Sequence, residues 1–396
     1  MRSIINNLYY LILIIFFYYY PIDIMLTYNG LASIHTYYFL IIFSIIILIY
    51  IIISSQIHQF NFLKEIKNSF LIFTLILILI IFSYLTNNLN HIMDKTFELY
   101  LLYLITYFLI AIFIIMKFDL LVKIFDKNNT IYFFILFNII YYYLLFYSNN
   151  FNFINSFIFG FGTNGAIYLI STIFIIFISL FTIIQNKKYF ILLSFFSTIL
   201  VFTLGSRTGI LFFILTLSYT AFKIYGIKKY LLFISSLLII FFFFNATFSN
   251  IFAENERIIS LLSLNTQDSS YIARLHQLSN NWTFIKDHYF TGIIMSEYLV
   301  GGEGTYIHSY LSYLQNYGII TFTLINILIL KLIYLFFKYN IKNDFHIFVN
   351  SIFIYTLLEF IFSRSYAYVH LLIFLLIFEF YYSNLKYTNK KDFSCQ

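Results

Sequence analysis

Long runs of apolar residues, almost free of charge, leave this chain few ways to fold. Residues 37–53, 71–85 and 230–245 are nearly uninterrupted Ile, Leu, Phe and Tyr. Each approaches the roughly 20 apolar residues that carry a helix across a bilayer core. In hydrocarbon every backbone N–H and C=O must be paired internally, so only helices or closed barrels span it. The alternation of apolar and polar residues that marks barrel strands is missing here, which selects helices. The remainder of the chain agrees. Of 396 residues, 62% are hydrophobic and 10% charged, with mean hydropathy +0.89. A soluble domain carries about 25% charged residues, and this chain could not cover its own surface in water.

The expected fold is therefore all-α, a polytopic transmembrane bundle of about 12 helices. Periodicity and breaks put them near 8–20, 35–53, 69–86, 98–116, 131–147, 165–184, 189–204, 207–222, 230–248, 307–337, 346–362 and 367–383. Residues 151–164 are apolar too and suit a short re-entrant segment. The first apolar stretch, 8–20, lacks a small-residue cleavage site and is expected to stay as a helix. Three regions follow: helices one to nine over 1–248, a large hydrophilic loop over 249–306, and helices ten to twelve with a tail over 307–396. Cys395 is the single cysteine, which excludes a disulfide framework and a cysteine metal site. The 38 Tyr and 54 Phe, with one Trp and one Pro, read as an AT-rich codon imprint, so most aromatics are lipid-facing filler.

Basic residues give the expected sidedness. Arg2, Lys64, Lys67, Lys117, Lys123, Lys127, Lys187, Lys188, Lys223, Lys228, Lys229, Lys338, Lys342, Lys386, Lys390 and Lys391 fall at the termini or in every second gap, with Lys331 near the same end of its helix. The positive-inside rule makes those gaps cytoplasmic, with both termini inside. Lys95, Arg207, Arg257, Arg274, Lys286 and Arg364 are left on the outer side, so four of the five Arg lie where cations are disfavoured. A planar guanidinium suits phosphate or carboxylate better than an ammonium does. Interfacial snorkelling is the plain alternative for any one of them.

Three outer features stand together in the chain. Asp268-Ser269-Ser270 suits a helix cap. After it Tyr271, Leu275, Leu278, Trp282 and Ile285 form a narrow apolar stripe, with Arg274, Gln277 and Asn281 on an adjacent polar one. Such a helix lies on the membrane surface or roofs a cavity. The run Gly301-Gly302-Glu303-Gly304 follows. No strand precedes it, so it is a hinge or close-approach loop and not a nucleotide fingerprint. It leads to His308 and Ser309 at the start of a long helix; a lone His there is also readable as an interfacial polar residue. Gly205-Ser206-Arg207-Thr208-Gly209 is a tight turn in which Ser206 would cap the next helix. Helix starts present unpaired N–H groups and favour anions. Arg207, His308 and Arg364 near such starts would suit a strongly anionic headgroup such as a pyrophosphate. The scattered Asp268, Glu297 and Glu303 suit metal coordination less well.

The GSRTG turn, the ARLHQLSNNW segment, the Gly-rich stretch and HSYLSYLQNYG (308–318) resemble, in order and spacing over about 200–320, the O-antigen polymerase and O-antigen ligase superfamily. Thr163-Asn164-Gly165 is similar to a loop Asn before a helix in that family. Members usually have Asn after the His, where this chain has Ser309. The resemblance implies a metal-independent membrane glycosyltransferase that extends undecaprenyl-pyrophosphate-linked repeat units into O-antigen or capsular polysaccharide outside the inner membrane. No nucleotide sugar, metal or other cofactor is then required, and nucleic acid is not a partner. A polysaccharide chain-length regulator is a partner it would admit. Carried onto matching positions, Arg207 and Arg274 would bind pyrophosphate and stabilise the leaving group, assisted by Ser206, Thr208 and Gln277. His308, beside Ser309, would orient or deprotonate the acceptor hydroxyl. Glu303 is the alternative base, and Arg364 a phosphate or sugar-acid contact. A ligase acting on lipid A-core shares the same donor. A flippase or transporter of lipid-linked oligosaccharide is the competitor from another class. It is disfavoured because no repeat relates the two halves and intramembrane ionisable residues, Glu359 and Glu379, are few.

Overall fold

The computed structural model describes residues 2–28, 36–55, 66–85, 94–118, 120–121, 130–149, 165–204, 208–227, 230–231, 269–296, 310–339, 343–362 and 369–393. These are helical almost throughout, and no strand occurs among them. In chain order the helices are α1 (Arg2–Ile14), α2 (Tyr20–Tyr28), α3 (Thr36–Ser55), α4 (Lys67–Leu85), α5 (Asp94–Met116), α6 (Thr130–Ser148), α7 (Gly165–Gln185) and α8 (Phe190–Thr203). Then come α9 (Thr208–Ile227), α10 (Ser269–Asp287), α11 (Leu311–Lys338), α12 (Asp344–Phe362) and α13 (Val369–Phe393).

Most helices fall within a few residues of where hydropathy put them, but the first helical stretch runs from Arg2 to Tyr28, well past the expected 8–20 at both ends; residues 151–164 and 232–248 lie outside the described residues. The expectation of about a dozen full spans is met only in part. Among the described residues five helices are long and apolar enough to cross a membrane: Asn6–Leu26, Thr130–Ser148, Thr208–Ile227, Leu311–Lys338 and Asp344–Phe362. A sixth is obtained if the bent pair Thr172–Gln185 and Lys187–Thr203 counts as one span, and Tyr38–Ser54, Lys67–Phe82 and Tyr100–Met116 are shorter apolar helices. The bent pair was expected as two consecutive spans, but its halves meet at 108°. Asn186 leaves helical geometry there, with φ −112° and ψ 52°, and a 3₁₀ turn at Lys187–Tyr189 reverses the chain. These apolar helices make the protein a multi-pass membrane protein.

The packing is that of a chain solvated by lipid. On α3, Ile42, Ile45, Ile49 and Ile52 point outward, while Leu40, Phe43, Ile47 and Tyr50 are buried. On α6, Ile135, Leu136 and Ile139 are exposed and Phe134, Phe137 and Tyr141 buried. Exposed isoleucine stripes would be costly in water, at about 25 cal/mol per Å², but cost nothing against acyl chains. Polar side chains turn inward instead, and many of them pair there, as Ser44 does with the Leu40 carbonyl (2.7 Å) and with Thr106 (2.7 Å).

The chain divides into two compact units, each assembled from separated stretches. One comprises Met1–Thr36, Asp119–Asp268 and Ile341–Tyr355. In it the Tyr141 hydroxyl of α6 donates to the Leu200 carbonyl (3.0 Å) and meets Thr203 (2.6 Å) on α8. Thr220 of α9 and Ser351 of α12 share a 2.8 Å hydrogen bond, small hydroxyls letting two backbones approach. The other unit comprises Tyr37–Phe118, Ser269–Asn340 and Thr356–Gln396. Phe73 and Phe108 stack at 3.8 Å between α4 and α5. Its strongest tie is the fully buried Glu379 of α13. This carboxylate accepts from Asn68 Nδ2 (2.8 Å), Ser69 N (2.8 Å) and Ser69 Oγ (2.7 Å), so it caps the start of α4. It also pairs with Lys331 Nζ of α11 at 2.7 Å. Four partners answer the buried charge, as burial of a carboxylate demands.

Candidate functional site

The candidate site is best described where α10 meets α11, within one unit. α10 begins at Ser269, within the Asp268-Ser269-Ser270 run expected to cap it; Asp268 itself lies outside the described residues. The faces of α10 are not used as the stripes suggest. Ile285 is buried (3% exposed) with Leu314, against Leu311, Ile319 and Phe322, whereas Trp282 from the same apolar stripe is 44% exposed. Asn281, from the polar stripe, is fully buried. The polar stripe therefore faces protein at Asn281, because a matching polar row waits on α11.

That row is Ser312, Gln315 and Asn316, all buried. Gln315 Nε2 donates to Asn281 Oδ1 (2.7 Å) and to Ser296 Oγ (2.8 Å), each of its two hydrogens having an acceptor. Asn316 Oδ1 accepts from the Ser296 backbone N–H (3.3 Å), and Asn316 Nδ2 donates to the Ser312 carbonyl (2.9 Å). Asn281 Nδ2 in turn donates to the Gln277 carbonyl (2.7 Å). Satisfied in this way, neutral amides hold buried segments together at about 1 kcal/mol net per bond, and cost more if one partner is lost.

Beneath the amides two backbones cross. Gly318 leaves the helix with φ 71° and ψ 177°, so α11 is broken three residues after Gln315. A break inside a span exposes backbone groups that lipid cannot satisfy. The segment after α10 supplies the missing partners. Ile293 N donates to Gln315 O (3.1 Å), and Ile319 N to Tyr289 O (2.9 Å). The approach is so close that a Cβ on Gly318 would stand 2.1 Å from Phe290 O, and one on Gly292 (φ 62°) 2.5 Å from Gly318 N. Both positions therefore require glycine. Met295, with φ 54°, adds a second left-handed residue to this short connection, and the neighbouring Ser296 is pinned by Asn316. Just before the crossing Tyr317 and Tyr100 join hydroxyl to hydroxyl, and Tyr313 stacks on Phe360 at 4.9 Å.

Of the residues expected to act, Gln277 is half-buried on α10, its carbonyl bonded to Asn281. Arg274 lies one turn earlier on the same helix; its side chain is outside the described residues. Thr208 is half-buried at the start of α9, in the other unit. Arg207, Ser206, Glu303, His308, Ser309 and Arg364 lie outside the described residues. The residues that sequence reasoning passed over are Gln315, Asn316 and Ser296. The first two stand inside the HSYLSYLQNYG motif, and adjacent amides beside a glycine in an apolar helix were the available signal. Among the described residues no three metal-ligating side chains converge. No family model matches the chain, and no curated protein or solved structure matches it either.

Proposed function

We propose that this protein is a membrane glycosyltransferase of the polysaccharide-polymerase kind, elongating a pyrophosphate-lipid-linked glycan on the outer side of a bacterial inner membrane. The observation that carries the reading is the Asn281–Gln315 bond at 2.7 Å, which ties the helix bearing Arg274 to the helix whose start follows His308. Arg274 stands two turns before Asn281 on α10, and His308 two residues before Tyr310. A cation for the leaving pyrophosphate and a base for the acceptor hydroxyl would thus be carried by two elements that cannot slide past one another. Electrostatic stabilisation of the departing phosphate by Arg274 and Arg207 would supply most of the acceleration. His308 would take the acceptor proton, with Glu303 as the alternative base. Both termini would be cytoplasmic and the chemistry extracytoplasmic.

A second reading, a transporter of lipid-linked oligosaccharide, is favoured by one observation. Broken membrane helices such as α11 are a recurring device of transporters. The two readings separate in a strain lacking the gene, complemented with wild type or with Arg207→Ala, Arg274→Ala or His308→Ala at matched expression. Surface glycan cut to a single repeat unit in the deletion and in the variants is the polymerase outcome. Long lipid-linked polymer that is never attached would mark a ligase. An unchanged glycan profile in the deletion strain would overturn all enzymatic readings.

A further inference from the structure

The only proline of the chain, Pro21, lies in its first span. Proline lacks the N–H that would bond four residues back and its ring crowds that carbonyl. The helix answers with a π-helical turn over Ile15–Tyr19, between α1 and α2. Such widened turns swing side chains out of helical register and are frequent at functional sites. Here the turn opens one side of a cleft of about 200 Å³. Leu13, Phe17 and Tyr18 form that side, Phe133 the lip on α6, and Phe177 and Phe181 the wall on α7. The wall is rigid: Phe17 and Phe177 stack at 4.1 Å with planes 4° apart, and Phe177 stacks on Phe181. All of it belongs to one compact unit.

The end of the cleft carries the information about its occupant. Thr130, at that end, is hydrogen-bonded to Gln185, the last residue of α7. The next turn presents Lys187, paired with Asp344 at 2.5 Å, and Lys188, which is exposed above the Tyr189 ring. Close by in the same unit, Lys223 lies over Tyr219. Cations resting on tyrosines at helix ends mark the boundary between hydrocarbon and water. The apolar slot thus includes Thr130, which is bonded to Gln185, and three residues past Gln185 stands an exposed ammonium, that of Lys188.

We propose that this cleft is a binding site for one acyl chain of an anionic bilayer phospholipid, whose phosphate is held by Lys188. Chain and net charge are recognised together, so a zwitterionic phospholipid such as phosphatidylcholine fits the slot but offers Lys188 a phosphate already countered by its own choline, and is held less tightly. The probe is native mass spectrometry of the full chain released from phosphatidylglycerol or phosphatidylcholine nanodiscs. The wild type is expected to keep one phosphatidylglycerol more tightly than phosphatidylcholine. Lys188→Gln lowers phosphatidylglycerol retention about fivefold and leaves phosphatidylcholine unchanged. Ile14→Trp, which fills the cleft from its exposed lip, removes both lipids. Ile327→Trp, on the lipid-facing side of α11, changes neither and serves as the control for bulk annular lipid. Equal retention across all four proteins would overturn the site. Recovery of a polyprenyl phosphate in place of phospholipid would overturn the assigned occupant. Because Lys188→Gln alters only an exposed side chain, its result stands even if Ile14→Trp fails to fold.

Discussion

Near its start α11 is held by neutral groups, Gln315 and Asn316 bonded to Asn281 and Ser296, whereas about four turns on it is held by charge, Lys331 against the buried Glu379. The two fastenings differ in what they do to their surroundings. Glu379 gathers four donors and locks α4, α11 and α13 together, but it places a full negative charge in the interior. At an effective dielectric of about 20, two unit charges 4 Å apart interact by about 4 kcal/mol. Such a charge beside the proposed pyrophosphate would oppose binding. The amides fix position without adding charge, and so leave the local field to the arginines. Rigidity near the proposed chemistry is built from dipoles and backbone; rigidity away from it is built from ions.

That contrast can be broken experimentally. The severest effect is expected from Gly318→Ala, since the new methyl meets the Phe290 carbonyl and the backbone angles are essentially reserved for glycine. A loss of about 5 kcal/mol, or failure to recover folded protein, is expected in unfolding experiments in nanodiscs. Glu379→Ala leaves Lys331 and the α4 start without their acceptor and should cost about 3–4 kcal/mol. If it proved milder than removal of a single amide, the charged fastening would not be the stronger one.

Gln315→Ala strands Asn281 Oδ1 and Ser296 Oγ, an expected loss of about 2 kcal/mol. Its informative readout is polymer length in the complemented strain. Gln315→Ala should shorten the glycan at a stability where Glu379→Gln does not, and the reverse order would detach the amide cluster from function. The smallest effect belongs to Lys187→Ala. Its pair with Asp344 is about 40% exposed on each side (39% and 44%), and partly solvated pairs contribute less than about 1 kcal/mol. A larger loss there would show that charge at the surface matters as much as charge inside.

The helices were legible because lipid solvation makes apolar runs, and basic residues between them, the dominant signal. Breaks within helices were not. Gly318 sits in an apolar run whose period continues past it, and its departure from helix depends on the backbone that crosses it. The 108° turn after Gln185 read as two separate spans for a similar reason, since a run of hydropathy carries length and no direction. Pro21 did announce the π-helical turn, but was absorbed into a reading of composition. At the candidate site the stripe of Arg274, Gln277 and Asn281 was visible, yet its sense was reversed at Asn281. A polar face looks solvated until a second polar face, Gln315 with Asn316, is found to meet it.

The crossing of Gly292 and Gly318 has a consequence for how such a chain can diverge. Where Ile, Leu, Phe and Tyr face lipid, they can be exchanged over long times with little selection, and pairwise identity erodes quickly. Neither glycine can be exchanged alone, because each has the other segment's backbone where its own side chain would be. Kinship would then survive as a sparse pattern: two glycines at a fixed separation, amides three and two residues before the second, and an asparagine on the preceding amphipathic helix. Weight in any comparison of sequences therefore belongs on those few positions more than on whole-chain similarity.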